Sequence, residues 1–239
     1  RFCAISSTSG TATEVTAFAV ITDYAKGIKY PIADYEITPD VAIVDPALAE
    51  TMPPKLVAHT GMDALTHAIE AYVSTAHCAY TDPLAIFAIR TVHKDLVASY
   101  GGNMPARHAM HDAQCLAGMA FSNASLGIVH SLAHKTGAAF ADCGAHLIHG
   151  AANAMYLPKV IAYNAKDPEA LKRYGVIADF MGLGGNSDKE KTARLIACLR
   201  DMNDALKIPH CIRHYGADSY PCEQGFVPED VFKARLHTI

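Results

Sequence analysis

The chain changes character at Met52-Pro53-Pro54, and no other feature limits its possible folds as much. Upstream lie short β-type runs: Arg1 to Ile5 (RFCAI), Ala17 to Thr22 (AFAVIT) and Asp40 to Val44 (DVAIV). A hydroxyl-rich run, Ser6 to Thr13, and a polar turn from Asp23 to Lys29 separate them. Downstream, β-branched runs are few, and Ala, Leu and Met recur at helical spacing. Proline is favoured at the first helical position, so Pro54 reads as a helix start. The spacing predicts helices at about 54–74, 82–99, 105–124, 126–138, 150–162, 168–182 and 187–206. Gly101-Gly102-Asn103 and Gly182 to Ser187 read as loops. The expected layout is the C-terminal part of an α/β unit over 1–52, then an all-helical domain over 53–239.

Composition narrows the class. Of 239 residues, 51% are hydrophobic and 18% charged, which fits a globular protein and not a disordered one. The net charge of −4 and the lack of a Lys/Arg block give no support to a nucleic-acid or membrane surface. No apolar run reaches the length of about 18 residues that marks a membrane span. Cys3, Cys78, Cys115, Cys143, Cys198, Cys211 and Cys222 are odd in number and scattered, with no C-x-x-C. Reduced cysteines in a cytoplasmic protein are the simpler reading. The chain opens at Arg1 on a strand-like run and stops inside a helical pattern, Pro228 to Ile239, so it reads as part of a longer protein.

Chemistry gathers in Asn123 to Asn153, where His130, His134, His146 and His149 sit among Gly, Ala and Ser. Imidazoles on a small, uncharged backdrop suit a metal or a proton-handling group. His130 and His134 are four apart and share a helix face. Ser131 stands where a zincin needs Glu, which removes the metalloprotease reading. Earlier, Asp63 and His67 repeat the four-residue spacing, and Glu70 continues their face. Each pair alone is equally compatible with a hydrogen-bonded polar pair in the core. Together they give an oxygen and nitrogen donor set suited to Fe(II) or Zn(II), without thiolates. Gly182-Leu183-Gly184-Gly185 follows no strand and is no dinucleotide fingerprint.

Three segments, GMDALTHAIEAY, SLGIVHSLAHKTGA and HGAANAMYLP, closely resemble the iron-containing (group III) alcohol dehydrogenases. That family includes the alcohol dehydrogenase half of bifunctional aldehyde–alcohol dehydrogenases. SSTSGTATEVT and AFAVITD resemble its central segment, and the likeness covers nearly all of residues 1 to 215. It implies a dehydroquinate synthase-like architecture, with a dinucleotide-binding α/β domain followed by a metal-binding helical one. By the resemblance, Asp63, His67, His130 and His149 hold the metal, Fe(II) with Zn(II) as the alternative. His149 is preferred to His146 because Gly150 follows it, although the segment from Lys135 to His149 is longer than in compact members. Ser6 stands where the family usually has Pro.

The same resemblance makes His134 the proton carrier. It places Ser7, Thr8, Thr13, Val15 and Lys26 at the nicotinamide cofactor, NAD(H) being expected before NADP(H). Phe121 and Phe140 are candidates for the substrate wall, or else ordinary core. The implied reaction is interconversion of a small primary alcohol and its aldehyde, in a homo-oligomer. Two alternatives stay open: a metal-dependent lyase or hydrolase on the same architecture, and an inactive metal-binding fragment.

Overall fold

The computed structural model describes residues 1–23, 28–140 and 147–212. Its organising element is α1 (Pro54–Val73), which starts on proline as the sequence predicts. From Val57 to Tyr72 every residue of α1 except Thr60 is buried. A helix apolar on one stripe lies at a surface, whereas one buried on all sides lies at the centre of a core. Around it stand α2 (Thr81–Tyr100), α3 (Met104–Ala124), α4 (Ile128–Ala139), α5 (His149–Asn164), α6 (Pro168–Phe180) and α7 (Asp188–Ala205). Helices α2, α3 and α5 pack directly on α1, and α7 closes over α5 and α6. Met62, Leu65 and Ile69 of α1 and Ile89, Val92 and Leu96 of α2 are among the fully enclosed side chains. No single helix among the described residues is long and apolar enough to cross a membrane.

Local chemistry fixes the helix starts. Asn103 accepts from the Ala106 N–H at 3.0 Å, and Asp167 accepts from Glu169 and Ala170. Ser187 accepts from Glu190, whose carboxylate turns back to the Asn186 N–H at 3.0 Å, a close relative of the capping box. Pro158 lies inside α5 and has no N–H for the carbonyl of Ala154, four residues back. Asn203 of α7 donates to that carbonyl at 2.9 Å. The proline is tolerated because a neighbouring helix satisfies what it leaves open.

Four short strands precede the helices: β1 (Cys3–Ile5), β2 (Phe18–Asp23), β3 (Ile28–Ala33) and β4 (Val41–Ile43). β1 pairs parallel with β4, Cys3 opposite Val41. β2 pairs antiparallel with β3, Phe18 opposite Ala33. The seven helices fall within a few residues of their predicted positions, but β3 is not in the sequence reading. Pro31 in its middle lacks a ladder donor and argues against a strand. A two-stranded pair has a free edge on both strands, and there the proline fits.

Arg107 of α3 ties the strand segment to the helices. Its guanidinium is buried and donates to the carbonyls of Glu50, Met52 and Ser99 at 2.6, 3.1 and 2.8 Å. It thereby fixes the chain just before Pro54. Arg107→Met keeps the stem but leaves those carbonyls short of donors, and orphaned buried acceptors cost about 1–3 kcal/mol each. The variant is expected to lower unfolding free energy by about 3 kcal/mol, read from the urea midpoint.

Candidate metal centre and cofactor-facing segment

Asp63, His67 and Glu70 lie at i, i+4 and i+7 on α1, so one face of the most buried helix carries three ionisable groups. His130 approaches from the first turns of α4 and His149 from the first residue of α5. Asp63 Oδ1 lies 4.0 Å from His67 Nε2, and 3.7 Å from both His130 Nε2 and His149 Nε2. One ligand-type atom from each of Asp63, His67 and His130 falls within 4.8 Å of the others. The His67 and His130 rings stack with centroids 4.5 Å apart.

Helix placement makes this convergence possible. A Cβ on Gly150 would run into the His59 carbonyl and come within 3.3 Å of the Asp63 Cβ. Only glycine lets the start of α5 press on α1 there, which sets His149 beside Asp63. Thr136 of α4 and Tyr156 of α5 share a 2.7 Å hydrogen bond between hydroxyls, which holds those two helices together.

Glu70 positions His130. Its carboxylate accepts from the Gly127 N–H at 3.0 Å and the Val129 N–H at 2.8 Å, so it caps α4 from another helix. It also meets His130 Nδ1 at 2.6 Å. A carboxylate at one ring nitrogen turns the other, Nε2, toward Asp63 and raises its basicity. Burial opposes charge on His130, but hydrogen bonds to Asp63 and Glu70 outweigh it and push the pKa up to about 9. Burial dominates at His67 and lowers its pKa to about 3 against the pull of Asp63. Burial alone would raise the Asp63 carboxyl, yet His67, His130 and His149 hold it well below the usual carboxylate range. The result is a buried anionic oxygen facing imidazole nitrogens.

His134 lies one turn after His130, half-buried, its ring stacked on His149 at 4.5 Å between centroids. His146 and Lys26 lie outside the described residues. Phe121 stacks on His67 at 4.3 Å and meets Phe18 at 6.0 Å, while Phe140 is fully buried.

The hydroxyl-rich segment is held by one stripe of α3. His111 sits between Ser6 Oγ, 3.2 Å from Nε2, and Ser9 Oγ, 3.0 Å from Nδ1. Gln114 donates to Glu14 at 2.7 Å, and Ser122 accepts from the Ala17 N–H at 3.3 Å. Gly118 lies between them in the stripe. Ser7 and Thr13 are exposed and Thr8 and Val15 half-buried, so the stripe braces the backbone from behind. His111 and Gln114 were not singled out from sequence. The 111, 114, 118, 122 spacing was readable, but nothing in it names the loop as its partner.

Family membership follows from comparison. Residues 57–229 match the Fe-containing alcohol dehydrogenase family, C-terminal, and residues 1–46 match iron-containing alcohol dehydrogenase. The chain belongs to the iron-containing alcohol dehydrogenase family. It is 60% identical over 216 residues to the NADPH-dependent butanol dehydrogenase of Clostridium saccharobutylicum, covering 90% of this chain and 54% of the relative. It is 44% identical over 234 residues to the bifunctional aldehyde-alcohol dehydrogenase AdhE of Escherichia coli (strain K12), covering 90% of this chain and 26% of that one. The iron-containing alcohol dehydrogenase structure from Thermococcus thioreducens superposes with a TM-score of 0.82 at 36% identity, over 98% of this chain and 55% of that one. The chain thus spans about half the length of the first relative and about a quarter of the second.

The brace has a testable weak point. Ala12 has a left-handed backbone, φ 52°, and its Cβ fills the space beside Gly118. A Cβ on Gly118 would strike it and lie 2.9 Å from Val15 Cγ2. Gly118→Ala is expected to cost on the order of 1–3 kcal/mol by overpacking. Ala12→Gly removes both the opposing methyl and the left-handed strain, so the double variant should recover most of the loss. Thermal unfolding of the four proteins reads the coupling.

Proposed function

We infer that the protein is a metal-dependent, nicotinamide-linked alcohol dehydrogenase acting on a small primary alcohol and its aldehyde. The observation that carries this reading is the convergence of buried Asp63, His67 and His130 with half-buried His149, from three helices. The donor set fits a divalent cation. It offers one carboxylate oxygen and imidazole nitrogens, and Glu70 fixes which nitrogen of His130 faces inward. Fe(II) accords with the family, and Zn(II) suits the same donors. The position of His149 at Asp63 supports it as the fourth ligand.

A divalent ion held by these side chains would supply Lewis acidity toward the alcohol oxygen. The cofactor supplies hydride acceptance. This chain's residues do the rest. Asp63 and the three histidines would hold the ion, and Phe121, stacked on His67, would keep water from that side. His134, nearer solvent and stacked on His149, takes the alcohol proton outward through its ring nitrogens. Ser7, Thr8, Thr13 and Val15, on the segment braced by α3, would contact the nicotinamide cofactor, as would Lys26. NAD(H) and NADP(H) are both chemically suited; the butanol dehydrogenase named above is NADPH-dependent. A cytoplasmic homo-oligomer, with the α/β and helical parts as separate domains, completes the reading. No observation favours the lyase or hydrolase alternative.

Full-length protein loaded with Fe(II) is expected to reduce NAD+ or NADP+ with a primary alcohol, followed by NAD(P)H absorbance. No turnover with either coenzyme would sink the reading. His130→Ala/His149→Ala should lose bound metal by elemental analysis, whereas His134→Ala should keep the metal and lose about 10²–10⁴-fold in turnover. Glu70→Gln keeps the shape but loses the charged acceptor. It is expected to weaken metal affinity about 10–100-fold, measured by chelator competition.

A further inference from the structure

Asn153 is fully buried on α5, one turn beyond His149. Its Nδ2 lies 2.6 Å from Asp63 Oδ1, 3.1 Å from His130 Nε2 and 3.2 Å from His149 Nε2. A carboxamide nitrogen carries two hydrogens, and here a carboxylate oxygen and two imidazole nitrogens from three helices surround it. Its Oδ1 is buried with no hydrogen-bond partner among the described residues. An amide kept for helix packing makes a different set of contacts. Asn203, also buried and also with an unpartnered Oδ1, donates to the Ala154 carbonyl and makes no hydrogen bond to these side chains among the described residues.

We propose that Asn153 is the positioning residue of the metal centre: its Nδ2–H donates to Asp63 Oδ1, orients the carboxylate, and sets the spacing of Asp63, His130 and His149 for the ion. The proposal rests on the metal-site reading above. Its chemistry favours an amide. A neutral donor holds the Asp63 carboxylate by a charge-assisted hydrogen bond without cancelling its charge. Aspartate there would place a second anion against Asp63 and offer no donor. Alanine would leave Asp63 free to turn. Outer partners that orient a ligand commonly govern metal affinity as strongly as the ligand geometry itself.

The test uses full-length protein stripped with chelator and titrated with Co(II), whose visible absorption reports coordination geometry. Asn153→Ala is expected to weaken Co(II) binding about 10–100-fold and to change the spectrum. Asn153→Ser serves as the second variant if Ala does not fold. Asn203→Ala is the control, expected to lower the melting temperature and leave spectrum and affinity unchanged. A folded Asn153→Ala or Asn153→Ser protein with wild-type affinity and spectrum overturns the proposal. So does an Asn153→Asp variant that binds more tightly, which would make position 153 a ligand and not a donor. Failure of the wild-type protein to bind Co(II) at all would instead overturn the metal-site reading beneath it.

Discussion

A carboxylate in the middle of the most buried helix is the constraint on which this structure turns. Moving such a charge from water into the core costs several kcal/mol unless opposite charge or hydrogen bonds compensate. Among the described residues, the ion-pair partners of Asp63 are histidines, not lysine or arginine. Its compensation comes from His67 on its own helix, His130 and His149 on two others, and the Asn153 amide. The arrangement therefore fixes where α4 and α5 must start relative to α1.

Glu70 solves a related problem by a different route. Its carboxylate faces the first N–H groups of α4, the positive end of that helix dipole. Those donors satisfy the buried anion, and the anion in turn satisfies a helix terminus that has no capping side chain of its own. The remaining affinity of the carboxylate goes to His130 Nδ1. One side chain thus sets both the direction of α4 and the orientation of the first histidine on it.

Much of this was legible in the sequence because it is local. Pro54 and helical periodicity locate the helices without tertiary information. The i, i+4 spacing of Asp63 with His67 puts both side chains on one face, and the family likeness of their segment names them. Other features depend on contacts between distant segments. β3 hides behind Pro31, whose penalty vanishes at a free edge. His111 and Gln114 look like ordinary polar residues until Ser6, Ser9 and Glu14 are placed against them. Asn153 sits four after His149, a visible spacing, but an asparagine among alanines carries no sign of Asp63 and His130 reaching it from two other helices. Asn203 is explained only once Pro158 is seen to leave the Ala154 carbonyl without its helical donor.

Helix α3 joins the two halves of the site. One part of its surface packs on α1 and α2, while the 111, 114, 118, 122 stripe carries the hydroxyl-rich segment. Phe121 sits at the boundary and touches both sides, stacked on His67 and in contact with Phe18. A helix packed at core density moves as a unit, because no void exists for one face to shift without the other. Hydride transfer requires a donor carbon and an acceptor ring held within a narrow range of distance and angle. For the proposed reaction, a single rigid element that stacks on His67 and braces the hydroxyl-rich segment would provide that constraint without any direct bond between the two. Substitutions inside α3 should therefore act on cofactor and metal together, even at positions that touch neither.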